Sequence, residues 1–211
     1  MRQTRRVLVA AGITAAVLTA SAGTASAEPV STGHVDVVDV DYAAGALTVQ
    51  ALVNGVERDP ATVDLVVLRG ARTTVPNNAA YSFLGAPGDP VWILPQTQNA
   101  SLLWPGWNAT DVPGGVFQSN SLRLSLTAVT GGELAIYSSG LGGPTVLFDS
   151  DDGAAGNGLP DNRPLATGAH THANWAFSSA GTYTVTFRVS GTLNNGTTVS
   201  DDATYTFTVQ A

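Results

Sequence analysis

Alternation of apolar and polar residues is the feature that most limits the fold of this chain. Leu122–Val129 and Thr182–Val189 alternate with a period of two, and Ala203–Val209 ends the chain with the same pattern. β-Branched and aromatic residues that alternate between Gly and Asn turns are typical of half-buried strands. Further strands are therefore predicted at Val35–Val40, Leu47–Val53, Val63–Leu68 and Leu134–Tyr137.

The composition excludes a disordered chain and a helical bundle. Hydrophobic residues make up 44% and charged residues only 12% of the 211 residues, and 23 residues are glycine. Such a chain is too apolar for disorder, and after residue 27 no segment keeps a helical period. We therefore predict an all-β fold, a single immunoglobulin-like β-sandwich of roughly nine to twelve strands, with long loops at 85–120 and 149–169.

The first 27 residues have the three parts of a secretory signal peptide. Three arginines precede the apolar run Val7–Ala20, and Ala25–Ala27 is a cleavage site of small residues. The run is too short for a membrane anchor, and no second long apolar segment follows it. We therefore predict a signal peptide at 1–27 and a secreted β-sandwich domain at 28–211, at the cell surface without an anchor or membrane span of its own.

Two missing residue types exclude several functions, because the chain contains neither Cys nor Lys. Without Cys there is no disulfide framework, no Cys-ligated zinc and no thiol nucleophile. Without Lys there is no Schiff-base chemistry and no Walker-type phosphate site. After residue 27 the chain carries 16 acidic residues and six arginines, a formal charge of −10. We therefore expect neither nucleic acid nor an anionic membrane as a partner.

The three histidines of the chain form the strongest candidate site. His170 and His172 are two residues apart, so on a strand both imidazoles project from the same face. His34 opens the first long predicted strand and can supply a third ligand, and Asp36 a fourth ligand or a partner for an imidazole. We predict one divalent transition metal at His34, His170 and His172. Imidazole ligands favour zinc, with copper and manganese as alternatives.

The four tryptophans allow two interpretations. Trp92, Trp104, Trp107 and Trp175 can form an aromatic platform for sugars, or they can fill the core of the sandwich. Core filling is the favoured interpretation because the surrounding segments are rich in Val and Leu. We expect Trp175, which follows the histidine pair closely, to pack beside the metal site.

An acidic loop offers a second, weaker cation site. Asp149–Gly153 and Asp161 resemble part of a calcium loop, but no bidentate Glu follows at the required position. A solvated, turn-rich loop is therefore the favoured interpretation of 149–161, and calcium is left open.

Several sequence blocks together resemble a known family, the actinobacterial surface-anchored protein domain of choice-of-anchor M proteins. The blocks cover nearly all of the chain after residue 27. They are Gly33–Asp36, Phe83–Gly88, Val91–Gln98, Trp104–Trp107, His170–Phe177 and Gly181–Val185. The resemblance implies a surface protein that accompanies an ABC transporter of the zinc or manganese type, and the family pattern includes the three histidines.

These observations lead to one main prediction and two alternatives. The main prediction is a secreted metal-binding protein, not an enzyme, that works with a metal-uptake transporter. The first alternative is an immunoglobulin-like surface module that binds glycan or protein through residues 92–107. The second is a metalloenzyme with an open three-histidine site, which is disfavoured because no general base lies near the histidines in the sequence.

Overall fold

Strands dominate the computed structural model, which describes residues 26–151 and 158–211. Four short 3-10 helices lie at Pro60–Thr62, Arg69–Ala71, Ala79–Leu84 and Gln118–Asn120. The described strands are β1 (Glu28–Val30), β2 (Gly33–Ala43), β3 (Ala46–Val53), β4 (Val56–Arg58), β5 (Val63–Val67), β6 (Arg72–Thr74), β7 (Pro90–Leu94), β8 (Leu103–Asp111), β9 (Ser121–Thr130), β10 (Leu134–Gly140), β11 (Gly143–Asp149), β12 (Asp161–Ala166), β13 (His170–His172), β14 (Asn174–Phe177), β15 (Gly181–Thr192) and β16 (Thr198–Val209).

The alternating segments form the longest strand pair. β15 and β16 pair in an antiparallel register from Gly181 opposite Val209 to Thr192 opposite Thr198. The apolar residues of β15 at positions 183, 185, 187 and 189 are all fully buried, while the residues between them are polar and less buried. The turn holds Gly196 at φ +90°, a conformation that costs glycine little. The period-two pattern therefore directs one face of this hairpin into the core.

Three sheets surround one main core. The first contains six strands in the order β1-β5-β16-β15-β9-β12, the second is β11-β10-β14-β7-β6, and the third is β13-β8-β2-β3-β4. Phe187 of the first sheet, Trp175 of the second and Val38 of the third belong to the same cluster of buried side chains. Burying apolar faces from all three sheets together removes them from water, which is the main favourable term in folding.

β2 is the strand that positions the candidate site. It lies between β3, to which it is antiparallel, and β8, to which it is parallel. Val35, Val37, Val38 and Val40 all belong to the main core, and the pairing register shifts after Asp36. Such a bulge adds one residue to the strand and breaks the alternation. His34, Asp36 and Asp39 therefore face away from the main core together.

The all-β sandwich prediction is confirmed, with three corrections. The described residues form sixteen strands, more than the nine to twelve predicted. The predicted loop at 85–120 contains β7 and β8, and the predicted loop at 149–169 contains β12. These strands were missed because Pro, Gly, Trp and Asn interrupt the alternation. An immunoglobulin-like arrangement is not confirmed, since that fold has two sheets and these strands form three.

Part of the sequence predictions lies outside this description. Of the predicted signal peptide at 1–27, residues 1–25 are outside the described residues. Among residues 26–151 and 158–211, no helix has the length and apolar character needed to cross a membrane.

Candidate metal centre

Three neighbouring strands bring the three histidines and one aspartate together. β13 pairs with β8, and β8 pairs with β2, so β8 lies between the two strands that carry the candidate ligands. Asp36, Gly106 and His172 lie opposite one another in a single row across these strands. His34 lies opposite Trp104, and each of them is two residues before Asp36 or Gly106 on its strand. Strand pairing therefore brings His34 and His170 together, although they are 136 residues apart in the chain.

The candidate ligand atoms lie within contact distance of one another. Nε2 of His34 is 3.3 Å from Nε2 of His170 and 3.4 Å from Oδ2 of Asp36. Nε2 of His170 is 2.9 Å from Oδ1 of Asp36. With a nitrogen of His172 included, one ligand atom from each of the four residues lies within 4.8 Å of every other. We call His34, Asp36, His170 and His172 the metal cluster.

These distances fit a tetrahedral ion. Zinc–nitrogen bonds of about 2.0–2.1 Å place two ligand atoms of a tetrahedron about 3.3 Å apart. The separations of His34 Nε2 from His170 Nε2 and from Asp36 Oδ2 are 3.3 and 3.4 Å. Two of the separations within the metal cluster therefore match tetrahedral coordination, and the four residues could hold a metal ion.

The protonation state of His172 also suits metal binding. Its Nδ1 lies 3.0 Å from the carbonyl oxygen of Pro105, and because a carbonyl can only accept, Nδ1 must carry the proton. In the neutral ring Nε2 then carries a lone pair. Burial lowers the pKa of His172, although the carbonyl of Pro105 and the charge of Asp36 oppose this. The neutral form, which is the metal-binding form, is therefore favoured.

Two buried atoms of the cluster lack hydrogen-bond partners. Within the described part of the chain, neither Nε2 of His172 nor Oδ2 of Asp36 makes a hydrogen bond. The side chain of Asp36 is 1% exposed, so its carboxylate has lost almost all of its hydration. An unpartnered buried lone pair and a buried charge both cost free energy. A cation coordinated by both atoms would offset both costs.

Gly106 provides the space in which the cluster meets. A Cβ atom placed on this residue would lie 2.5 Å from the Thr171 carbonyl oxygen, 2.8 Å from His172 Nδ1 and 3.0 Å from Asp36 Oδ1. Distances below 3.0 Å require something to move, and two of the three lie below it. Gly106 is therefore needed for the close approach of β13 and of the Asp36 carboxylate.

Trp104 stacks on the face of the His172 ring. The indole ring stacks on the imidazole with 3.7 Å between ring centroids and 9° between the ring planes. The indole Nε1 donates to the carbonyl oxygen of Gln96 at 2.7 Å, which fixes the orientation of the indole. Together with the Pro105 carbonyl, this stack leaves His172 little freedom, and such outer contacts orient metal ligands and increase affinity.

The cluster has an open side and a closed side. The side chains of His170 and His34 are 42% and 25% exposed, whereas Asp36 is 1% exposed. An ion can therefore enter from solvent past the two outer histidines and meet the carboxylate at the bottom. The negative charge of that carboxylate attracts a cation to this position.

A second buried carboxylate lies close to the cluster on the same strand. Asp39 is 3% exposed, and its Oδ1 accepts a hydrogen bond of 2.8 Å from Nδ2 of Asn108. Burial raises the pKa of Asp39 to about 6; the Asn108 bond opposes this shift, and the nearby charge of Asp36 adds to it. Asp39 therefore has the partner that Asp36 Oδ2 lacks.

The structure brings His34, His170 and His172 together, and Asp36, proposed as a further ligand or partner, lies among them. Sequence analysis missed the roles of Gly106 and of the Pro105 carbonyl. The only sequence signal for them is the unusual block Trp104–Trp107, in which proline and glycine interrupt a strand.

The tryptophans behave largely as core residues. Trp92, Trp107 and Trp175 are 5%, 7% and 0% exposed, which confirms the core-filling interpretation for these three. The expectation that Trp175 packs beside the metal site is wrong, because it lies against Phe187 and Phe207 in the main core. The tryptophan beside the cluster is Trp104. The chain passes at Ala173 from β13 of one sheet to β14 of another, and this change of sheet, which the sequence did not reveal, accompanies the burial of Trp175.

The acidic loop is only partly described. The carboxylates of Asp149 and Asp161 accept hydrogen bonds from backbone N–H groups of Asp151 and Asp149 respectively. Residues 152–157 lie outside the described residues. Calcium binding at 149–161 stays a prediction.

Comparison with known proteins adds no relative. No protein-family model, no curated protein and no solved structure matches this chain. The resemblance to the actinobacterial surface-anchored domain therefore stays a prediction.

Proposed function

We propose that this protein is a secreted metal-binding protein that holds one divalent transition metal through the metal cluster. The observation that carries this proposal is the grouping of four ligand side chains within 4.8 Å, two of which, His172 and Asp36, hold a buried atom without a hydrogen bond. Buried polar atoms are rarely left without partners in proteins. A bound cation would supply the missing partner for both.

Zinc is the metal that we propose first. The ligand set contains three imidazoles and one carboxylate, and it contains no sulfur, which disfavours Cu⁺. Ligand separations near 3.3 Å suit tetrahedral coordination, the usual geometry of zinc. Copper(II) and manganese are the alternatives, and the experiment below separates them.

We propose binding rather than catalysis as the role of the ion. Catalytic zinc sites keep three protein ligands and leave the fourth position for water or substrate. In a tetrahedral ion bound by all four residues of the metal cluster, Asp36 would take that fourth position and no open site would be left. A hydrolytic role would need Asp36 to leave the metal.

Export and a transporter partner complete the proposal. Secretion is supported by the pattern of residues 1–27, and membership of the actinobacterial surface-anchored domain family by the sequence blocks described above. The partnership with a zinc- or manganese-type ABC transporter is supported by that resemblance alone. A two-sided site, with a buried carboxylate and two outer histidines, is compatible with a protein that takes up and passes on an ion.

The experiment that tests this proposal is elemental analysis of the secreted protein, purified without a histidine tag and without chelator. We expect one equivalent of zinc per chain, and a loss of that equivalent in the His170→Ala variant. His170 is 42% exposed, so its replacement should leave the fold intact.

Thr171→Ala is the matched control, because Thr171 lies between the two histidines of β13 and is not a ligand. It should keep the ion. A metal-free wild-type protein that also fails to take up zinc, copper or manganese would overturn the proposal. One equivalent of copper or manganese would keep the site and change the metal.

A further inference from the structure

The histidine that β2 contributes to the metal cluster lies near the end of its strand. His34 is the second residue of β2 and lies opposite Trp104 of β8. The pairing of β2 with β3 starts one residue later, at Val35 opposite Val53. Strand ends open more readily than strand interiors. A ligand at this position is therefore held in place only if further contacts fix its backbone.

Asn54, in the turn between β3 and β4, supplies these contacts. The backbone N–H of His34 donates to Oδ1 of Asn54 at 3.1 Å, and the backbone N–H of Asn54 donates to the carbonyl oxygen of His34 at 2.9 Å. Both backbone polar groups of His34 are thus hydrogen-bonded to one residue. Because each backbone N–H and C=O needs a partner, these two bonds define the position of His34 beyond the end of the β2–β3 ladder.

The conformation of the turn explains why a side-chain oxygen takes part. The register that pairs Val35 with Val53 places Asn54 opposite His34, where a regular antiparallel ladder uses the backbone carbonyl as the acceptor. Asn54 and Gly55 have φ of +49° and +80°, the left-handed values of a two-residue hairpin turn. The His34 N–H donates to Oδ1 instead. The side chain of Asn54 therefore takes the place of the carbonyl that the ladder would offer.

Gly33 leaves the space for this contact. A Cβ atom on Gly33 would overlap Oδ1 of Asn54 and would lie 3.1 Å from its Cγ and Nδ2. Gly33 also has φ of +96°, which costs glycine little. Its N–H donates to the carbonyl oxygen of Leu102 at 3.2 Å. The first residue of β2 thus fits the amide of Asn54 against the backbone of the second.

Few residue types meet both requirements of position 54. The turn needs a residue that adopts a positive φ at low cost, and His34 needs a short side chain with an acceptor. Asn and Asp combine the two properties, whereas Gly supplies the conformation without the acceptor. Substitutions at position 54 can therefore separate the hydrogen bond to His34 from the shape of the turn.

These contacts fix the backbone from which the His34 imidazole projects. Its Nε2 lies 3.3 Å from Nε2 of His170 and 3.4 Å from Oδ2 of Asp36, although the side chain is 25% exposed. A metal site gains affinity when outer contacts orient its ligands before the ion binds. We infer that Asn54 is a positioning residue of the metal site, which increases its affinity for the ion by holding His34 in place. This inference rests on the proposed metal-binding function.

Competition for zinc between the full secreted protein and a chromophoric chelator tests this inference; if elemental analysis identifies copper or manganese, that ion is used. Asn54→Gly keeps the turn and removes the acceptor. It should weaken metal binding about tenfold, since loss of an outer contact costs about 10–100-fold. Asn54→Asp keeps an acceptor for the His34 N–H and should retain most of the affinity.

Asn195→Gly is the matched control. Asn195 precedes Gly196 in the turn between β15 and β16, and its Oδ1 accepts from the Thr197 N–H at 2.9 Å. The substitution therefore removes the same kind of bond from an Asn-Gly turn outside the metal cluster, with the same gain of freedom in the unfolded chain. It should bind the ion like the wild type. Melting temperatures with chelator present show whether each variant is folded.

A second readout separates positioning from a general loss of stability. In a His34→Ala background, Asn54→Gly should cause little further loss of affinity, because its effect passes through the His34 side chain. Unchanged affinity in Asn54→Gly, an equal loss in Asn195→Gly, or the same loss with and without His34 would overturn the inference and leave the metal proposal standing. A wild-type protein that takes up no zinc, copper or manganese would overturn both.

Discussion

Two neighbouring rows of paired residues cross β2, β8 and β13, and each contains a buried aspartate. They differ in whether the residue on β8 donates a hydrogen bond to that aspartate. In one row Asp36 faces Gly106 and then His172; in the other Asp39 faces Asn108 and then His170. Asn108 donates a hydrogen bond to Asp39, whereas Gly106 has no side chain to offer. Asp36 therefore reaches past β8 to the imidazoles, and its Oδ2 has no hydrogen bond there.

The difference shows that burial of an acidic residue does not by itself make a metal ligand. Both aspartates lie on β2, and both are nearly inaccessible to solvent, at 0% and 3%. What separates them is the residue in the middle of the row, which either satisfies the carboxylate or leaves it for an ion. The four predictions that follow test this contrast, from the largest expected effect to the smallest.

The largest effect is expected from paired substitutions of the two aspartates. Asp36→Asn should weaken zinc binding about a hundredfold or more, because loss of an outer partner alone costs 10–100-fold and this change removes a direct ligand charge. Asp39→Asn, the same change three residues along the strand, should leave zinc affinity within a few-fold of wild type. Competition with a chromophoric chelator measures both. Equal losses in the two variants would show that the rows are not distinct.

The second prediction concerns pH and the other row. The pKa of Asp39 is raised to about 6, so the folded state holds this proton more tightly than the unfolded chain does. The resulting stabilisation is present below about pH 4 and is lost as pH rises through 6. The wild type should therefore lose about 2–3 kcal/mol of unfolding free energy relative to Asp39→Asn as the pH rises from 4 to 7. Urea unfolding with chelator present measures it.

The control for this pH effect is Asp202→Asn, an exposed aspartate whose pKa the hydrogen bond and charge of Arg188 lower. Its contribution has the opposite sign, because the stability it provides is lost as pH falls. A pH profile of Asp39→Asn that parallels the wild type would contradict the prediction.

The third prediction tests the space in the first row. Gly106→Ala should separate β13 from β8, because the added methyl group meets backbone and ligand atoms at 2.5–3.0 Å. We expect a loss of about 1–3 kcal/mol in stability, the usual cost of overpacking, together with weaker zinc binding. Gly114→Ala is the control, since nothing lies within 4 Å of its added Cβ. If both variants bind zinc alike, Gly106 is not required for the site.

The smallest effect is expected at Trp104. Trp104→Ala removes the ring stacked on His172 and should weaken zinc binding about tenfold, as loss of an orienting contact does. Trp104→Phe retains a ring, though not the hydrogen bond to Gln96, and should lose less. Trp104 is the tryptophan at the cluster, so a change of its fluorescence on zinc addition should disappear in Asp36→Asn. Full affinity in Trp104→Ala would show that the stack has no orienting role.

Much of the strand content was predictable from the chain alone. The segments 122–129, 182–189 and 203–209 lie inside β9, β15 and β16, because half-buried strands require alternation and the sequence supplies it. β7, β8 and β12 were not predicted, since proline, glycine and buried polar residues interrupt their patterns. Strand pairing was equally hidden, because partners such as β2 and β8 are about seventy residues apart in the chain.

The candidate site was likewise predicted only in part from the sequence. The His170–His172 spacing predicted a same-face pair, and the scarcity of histidine left His34 as the natural third member. Asp36, two residues after His34, was also a predicted fourth ligand or partner. That its Oδ2 has no hydrogen bond and that Pro105 sets the tautomer of His172 are consequences of pairing between strands. No spacing along the chain encodes a contact across β8.

The sequence by itself determined the all-β character, the acidic charge and the residue types available for chemistry. These properties depend on local alternation and on counting, and both are contained in the order of residues. The tertiary structure alone decided which buried carboxylate, Asp39, receives a hydrogen bond from the neighbouring strand and which one, Asp36, keeps an oxygen without a hydrogen bond. The physical reason is that hydrogen bonds and ion pairs are satisfied between strands distant in sequence, so only the folded sheet reveals which groups are left over.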